Sequence, residues 1–516
     1  MAGETPRSAN PSRRQFLVGA GRAALGAAFT TGLAWIEAAS SPKAAWSQPM
    51  RSALPPGGPN WDQLERHLRG RLLRPDSRGY DKAIMIRNIR YAAVRPAGVA
   101  MVAGPQDIAT AIAWALDNQV EMVTRSGGHS FAGYSTTPGL VIDLNGMTRV
   151  TVSWGARTLT TVGAATNEDV AAAGQPVGLG LPGGQCPTVG IPGFTLGGGL
   201  GFYMREHGLA IDVLTETKMV TAAGKLLTIS EKEHPDLFWA LRGGGGGNFG
   251  INTSFTFRGF RVPGQVTIFS LTWVADDCIA AFLAFQEVLF QASDTLGAVA
   301  HFSAELEAGS VVPTLRVFGQ FVDTKEATER LLSPVIAAAR PETQQIEQMT
   351  FWNAKKWLAG DVGAPNAFAE RSRFYPNPMP EEGAQALVDF LAKAPINENS
   401  HFSGESAFFA WGGAVSRVPP TATAFAHRDD IWLQSFDVSW ALGDSQPEVD
   451  HLIAWQNDFY DAMGAYGSDR AYQNFVDPLL QDPLTAYYAE NLPRLIGVKR
   501  TYDPDNVFHF AQSIRT

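Results

Sequence analysis

Glu121-Met-Val-Thr-Arg-Ser-Gly-Gly-His-Ser130 decides how the rest of the chain is read. Its first half has strand character as far as Arg125, and the chain then runs directly into the small residues Ser126, Gly127 and Gly128, followed by His129 and Ser130. A strand ending in small residues exposes successive backbone N–H groups, a concavity that can bind a pyrophosphate without any side chain. Upstream, Ile108, Ile112 and Leu116 recur at helical spacing behind Gln106-Asp107. Downstream, Leu140-Val-Ile-Asp-Leu144 and Thr158 to Val162 read as further strands, and Lys218 to Thr221 with Leu226 to Ile229 as a hairpin.

A second glycine-rich block opens with Gly183-Gly-Gln-Cys-Pro-Thr-Val-Gly190, continues through Gly193 and ends in Leu196-Gly-Gly-Gly-Leu-Gly201, which includes Gly197 and Gly198. The interleaved Val189, Ile191, Phe194 and Leu196 are the wrong composition for a solvated linker and suit a backbone packed closely against a large planar ligand. Cys186, one of only two cysteines, stands in this block, where an accessible thiol is a candidate for chemistry. A third run, Leu241-Arg-Gly-Gly-Gly-Gly-Gly-Asn-Phe-Gly250, lies between Asp236-Leu-Phe-Trp-Ala240 and Ile251-Asn-Thr-Ser-Phe255, whose apolar residues again argue against a linker.

From about Val266 the pattern changes. Thr267 to Trp273, Thr314 to Val322, Phe402 to Ala410 and Ile431 to Trp440 have strand character, while Ile279 to Gln291 and Lys325 to Ala339 read as helices. Long strands separated by helices suit an antiparallel sheet flanked by helices, so the fold class is α+β. The helix-like stretch Glu448 to Met463 is expected to lead back to the first domain. The expected divisions are 1–47, a targeting segment; 48–265, a cofactor domain; 266–465, a substrate domain; and 466–516, a segment returning to the cofactor domain.

A chain of 516 residues with 45% hydrophobic and 18% charged residues is long enough for two or three cores. Its net charge of −9 and lack of a basic cluster argue against nucleic acid or an anionic membrane as partner. Ser12-Arg-Arg-Gln-Phe-Leu17 followed by the weakly apolar run Val18 to Ile36 matches a twin-arginine signal, which predicts the export machinery as a partner and a destination in the periplasm or outside the cell. Arg22 and the glycines make that run a poor membrane helix.

Arg125 to Met147, Gly183 to Asp212 and Tyr487 to Ile514 together resemble the berberine-bridge-enzyme-like branch of the vanillyl-alcohol-oxidase superfamily. The resemblance implies a two-part FAD-binding domain of the PCMH type with an antiparallel-sheet substrate domain, and FAD bonded to His129 through its 8α-methyl carbon and to Cys186 through C6. It further implies that Arg125, Ser126, Gly127, Gly128, Ser130, Gly183, Gly184, Val189, Gly190, Gly193, Gly197, Gly198, Gly250, Ile251 and Asn491 surround the cofactor, and that Val189 is the smaller, oxidase-type residue at the oxygen gate. Phe194 and His207 depart from plant members, which commonly carry histidine and tyrosine there. In Ala471-Tyr-Gln-Asn-Phe-Val-Asp477 the resemblance makes Tyr472 the base that takes the substrate proton, with Gln434 lining the same pocket if the strand register holds.

These readings imply an FAD-dependent oxidase acting on an alcohol or hemiacetal, a sugar or oligosaccharide foremost, with O2 as acceptor and H2O2 as product. Oxidative tailoring of a polyketide glycoside or alkaloid is the alternative reaction, and a secreted flavin-loaded binding protein the alternative without turnover. The scattered histidines, widely separated cysteines and lack of a Gly-x-Gly-x-x-Gly strand-to-helix turn give no support to a metal or nicotinamide site.

Overall fold

A computed structural model describes residues 58–516. The twin-arginine segment lies outside the described residues. The first sheet has four strands in the spatial order Arg71–Leu73, Gly98–Met101, Leu140–Asp143, Met122–Arg125; the last three are parallel and the first runs against them. Helix Pro105–Asn118 is the crossover between Gly98–Met101 and Met122–Arg125, the parallel strands on either side of Leu140–Asp143, and it buries Ile108, Ala111, Ile112 and Ala115. Leu116, expected on the same apolar face, is instead exposed, because the helix turns Ala115 inward in its place.

The second sheet is antiparallel, in the order Val150–Ser153, Thr158–Val162, Ile251–Arg258, Leu214–Val220, Leu226–Ser230. Its last pair is the expected hairpin, closed by Val220 opposite Leu226. The strand after the third glycine run is its centre, and Ile251 is buried there beside Phe508.

Residues 265–440 build one seven-stranded antiparallel sheet, in the order Thr343–Thr350, Gln265–Val274, Ser310–Phe321, Leu296–Glu307, Ser403–Ala410, Trp432–Trp440, Ala367–Tyr375. The four strands read from the sequence are present with ends moved by at most four residues. Leu296–Glu307, Thr343–Thr350 and Ala367–Tyr375 were not anticipated. The edge strand Thr343–Thr350 is almost wholly polar, and Ala367–Tyr375 carries Glu370, Arg371 and Arg373, so neither shows an apolar run.

Helices Asp277–Gln291, Lys325–Ala338, Glu381–Leu391 and Gln446–Met463 cover one face of this sheet over Trp273, Phe282, Phe302, Phe408, Trp432 and Phe436. Cys278 is buried in that core, where burial pushes its thiol up to about 12. In helix Gln446–Met463, which falls inside the expected division 266–465, Val449, Leu452, Phe459 and Met463 recur at helical spacing and pack on this sheet.

The chain returns only after Met463. Helix Leu492–Tyr502 sets Lys499 wholly inside the first half, donating to Asp503 (2.6 Å), the Asn248 carbonyl (2.7 Å) and the Phe508 carbonyl (2.6 Å). One ammonium thus ties the glycine run before Phe249 to the C-terminal tail. Lys499→Ala leaves the buried Asp503 carboxylate without its cation, so we expect about 3–5 kcal/mol of destabilisation, read as a lower thermal unfolding midpoint.

Candidate functional site

The two glycine-rich loops meet backbone to backbone. A Cβ on Gly127 would lie 2.5 Å from the Gly190 nitrogen, and one on Gly190 would lie 2.2 Å from Ser126 Oγ and 2.6 Å from the Gly127 nitrogen. Only hydrogen at both positions permits this contact, so the pair of glycines sets the separation of the His129 loop from the Cys186 loop.

At the meeting point the two expected attachment residues are joined through a third. His129 Nε2 is 3.0 Å from Thr188 Oγ1, and the same hydroxyl is 3.4 Å from Cys186 Sγ. Burial, reinforced by the Arg87 guanidinium, pushes the His129 imidazole down to about 4, so the ring is neutral at ordinary pH. Cys186 is a free, half-buried thiol. Its loop is held by Asn167, which donates to the Cys186 carbonyl (3.0 Å), accepts from Gly184 N–H (3.2 Å) and gives its own N–H to the Val189 carbonyl (3.1 Å). Asn167 follows Thr166, the cap of helix Asn167–Gly174, a capping signal that was there to be read.

Arg125 does not reach into the loop it precedes. Its guanidinium is buried against Asp143, with Nε at 2.8 Å, and it also donates to the Ala83 carbonyl. It anchors the strand end, and Asn145 extends the anchor by donating to the Ser126 carbonyl (3.0 Å). Beyond it, the N–H groups of Gly127, Gly128, His129 and Ser130 find no protein acceptor among the described residues, and the buried Ser126 hydroxyl is likewise unpartnered. Consecutive unpaired donors suit a pyrophosphate, and the neutral imidazole and free thiol suit attachment to an electron-poor ring. The donor set therefore fits FAD.

Phe194, Gly197 and Gly198 meet the returning segment. Asn474 donates to the Phe194 carbonyl (2.9 Å), and a Cβ on Gly197 would lie 2.0 Å from Asn474 Oδ1. Gln473 donates to the carbonyls of Gly197 (3.3 Å) and Gly243, knitting two glycine runs together. Tyr472 is buried, and its hydroxyl oxygen accepts from Gly199 N–H (2.9 Å) and Asn474 Nδ2 (3.0 Å). Burial outweighs these bonds and pushes the phenol up to about 12.

The remaining expected residues are placed as follows. Gly183 lines a cavity with Asn167 and Lys355, Gly184 packs against Phe194, and Gly193 is exposed on helix Ile191–Leu196. Gly250 abuts Met219 and the Val220 carbonyl, and Ile251 is buried in the core that also holds Phe508. Asn491 spends its amide on the carbonyls of Pro420 (2.8 Å), Thr423 (3.2 Å) and Ala424 (3.3 Å), fixing the loop before Phe425. His207 stacks on Phe260 at 3.8 Å, and burial pushes it down to about 4.

Gln434 is a correction. It points to the helix-covered face, where it accepts from Tyr375 Oη and donates to Ser406 Oγ (2.8 Å). Strand periodicity of two turns Leu433, Ser435 and Asp437 to the opposite face, so the expected register was off by one residue.

That opposite face carries groups the sequence reading missed. Phe368 meets Phe131 edge-on at 5.2 Å, while Phe475 stacks on Phe131 at 5.6 Å and touches Phe409 at 5.7 Å. Beside them, half-buried, stand Glu370, Asp437, Glu405 and His301 on four neighbouring strands. His301 and Glu405 pair at 3.1 Å. Asp437 is raised to about 6, by burial first and by Glu405, against opposing contacts from Ser435, Glu370 and His301. Alternation of polar residues along these strands was the available signal. Among the described residues no cluster could hold a metal ion, and no helix is long and apolar enough to cross a membrane.

Residues 96–230 match the family model for an FAD binding domain, and 471–515 match the model described as berberine and berberine like. The chain is 34% identical to the FAD-linked oxidoreductase YgaK of Bacillus subtilis, over 87% of this chain and 97% of that one. Among solved structures, Physcomitrella patens BBE-like 1 superposes with a TM-score of 0.79 at 26% identity, covering 88% of this chain and 99% of that one. Glucooligosaccharide oxidase from Acremonium strictum, whose structure carries a 6-S-cysteinyl, 8α-N1-histidyl FAD, gives 0.76 at 26% identity, with 86% and 97% covered. Fold and FAD-linked oxidoreductase class are thereby established.

Gly190→Ala forces the two loops apart. We expect purified Gly190→Ala protein to show a flavin-to-protein absorbance ratio at least about fivefold below wild type, because the attachment groups lose register.

Proposed function

The chain belongs to the berberine-bridge-enzyme-like family of FAD-linked oxidoreductases, and from that footing we propose that it is an exported oxidase of sugar hemiacetals or secondary alcohols, oligosaccharides foremost, with FAD bonded to both His129 and Cys186. The observation that carries the reading is the convergence of these two side chains on Thr188. The same pair of linkages is borne by the glucooligosaccharide oxidase it resembles in fold. When bound, FAD supplies the hydride acceptor, and O2 takes the electrons on to H2O2. Gly127 to Ser130 would hold the pyrophosphate through their backbone N–H groups, which have no protein acceptor among the described residues, and Val189 on the Cys186 loop would leave room for oxygen.

Hydride loss from an O–H carbon needs a proton acceptor. Tyr472 takes this role, since its oxygen receives N–H donors on the side of Gly199 and Asn474 and would carry phenolate charge there. A second reading is favoured by the placement of Asp437, half-exposed on the strand face toward Phe131, with a carboxyl near neutrality.

Three outcomes check these points. In denaturing gels the wild type, His129→Ala and Cys186→Ala keep flavin, and only the double variant loses it. Release of all flavin by the wild type would remove the attachment reading. With an oligosaccharide donor, Tyr472→Phe lowers kcat by about 10²–10⁴, and wild-type kcat/KM keeps rising with pH above 8, because a phenol near 12 gains phenolate throughout that range. A plateau above pH 7 instead, after a limb near 6 that is lost in Asp437→Asn, transfers the role to Asp437, whose carboxylate form is depleted as pH falls through 6. Replacing Arg13 and Arg14 with lysine retains the protein in the cytoplasm if Ser12 to Leu17 directs export.

A further inference from the structure

Thr188 stands between the two attachment residues, exposed to solvent, with one hydroxyl oxygen within hydrogen-bond reach of both: 3.0 Å from His129 Nε2 and 3.4 Å from Cys186 Sγ. A hydroxyl has one proton to give and lone pairs to accept with, so it can serve the two neighbours in opposite senses at once. The imidazole is neutral, so one ring nitrogen carries hydrogen and the other a lone pair, and the partner of one nitrogen fixes the role of the other. If Nε2–H donates to Thr188, the lone pair sits on Nδ1, and the Thr188 hydrogen is left to point at sulfur.

We propose that Thr188 is the positioning residue for self-catalysed flavin attachment, fixing the Nε2–H tautomer of His129 and aiming its own hydroxyl hydrogen at the Cys186 sulfur. The inference rests on the doubly linked reading above and assigns the residue that prepares both bonds. At the histidine, the bond between Nδ1 and the 8α carbon forms as an 8α hydrogen and the Nε2 hydrogen leave as protons. At the cysteine, the bond between Sγ and C6 forms as the thiol hydrogen and the C6 hydrogen leave as protons. Each linkage delivers two electrons to the isoalloxazine, and dioxygen takes them, with two protons, to give hydrogen peroxide. Thr188 lies beside the nitrogen and the sulfur that release protons.

Geometry also accounts for why this residue holds its place. The Thr188 carbonyl would lie 3.0 Å from a Cβ on Gly127, so the backbone here is pressed against the His129 loop. Asn167 fixes the loop on either side of Thr188 through the carbonyls of Cys186 and Val189. The hydroxyl is therefore delivered by a constrained backbone, and its removal should leave the fold in place.

The test uses full-length protein produced without riboflavin, loaded with FAD in air, and sampled over time for flavin fluorescence in denaturing gels and for linked peptides by mass spectrometry. Thr188→Val should slow formation of both linkages by about tenfold or more, with Thr188→Ser recovering most of the wild-type rate. On the same unloaded proteins, alkylation of Cys186 by iodoacetamide should slow several-fold in Thr188→Val, while the buried Cys278 does not react. Equal attachment and alkylation rates in Thr188→Val and wild type would overturn the proposal. A wild type that forms no covalent flavin at all would instead overturn the doubly linked reading on which it rests. Thermal midpoints that agree across the three proteins assign any rate difference to the hydroxyl.

Discussion

The close approach of Gly127 and Gly190 is the constraint on which the site depends. Each glycine occupies the space where the other loop's backbone would meet a side chain, so the loops touch through main-chain atoms alone. Main-chain contact leaves little slack, and what it fixes is the distance between an imidazole on one loop and a thiol on the other. Thr188 then fills the gap between them with a hydroxyl. Everything behind the loops keeps this contact in register: the buried Arg125–Asp143 pair at the end of one strand, and the Asn167 amide under the other loop.

A second layer of the same logic operates at the back of the site. The glycine stretches at 197–199 and 243–247 have few side chains of their own with which to bind one another, so polar side chains of the returning C-terminal segment do it for them. Gln473, Asn474 and Tyr488 reach the carbonyls of Gly197, Gly243, Phe194 and Gly244. Lys499 closes the arrangement with a buried ammonium, a group whose desolvation is tolerable only because three oxygen atoms surround it. A glycine-rich cofactor cradle is thus rigid through contacts supplied from the far end of the chain.

The seven-stranded sheet divides its two faces between stability and chemistry. One face is buried under four helices and is apolar and aromatic. The other offers phenylalanines around Phe131 and then a row of half-buried ionisable groups, Glu370, Asp437, Glu405 and His301. Partial burial lifts Asp437 toward neutrality while His301 holds Glu405 below the usual carboxylate range against the pull of burial. Such a face can present both charge states of a carboxyl to a bound molecule at one pH.

Much of this was legible in the sequence, for a local reason. A strand that runs into Ser126-Gly-Gly-His129, a cysteine inside a glycine block, and apolar residues at helical or alternate spacing are patterns written within a dozen residues of one another. They were enough for the α+β class, the FAD-linked family and about half of the strands. The tertiary structure alone decided what depends on partners distant in the chain. It turned Gln434 to the helix face and Asp437 to the other, because a one-residue shift of register reverses a strand's faces. It committed helix Gln446–Met463 to the seven-stranded sheet, gave Arg125 to Asp143 and Asn491 to three carbonyls, and set Thr188 between His129 and Cys186. Pattern along a chain fixes which face of an element is apolar, whereas which atoms meet across two loops is settled only when the whole chain packs.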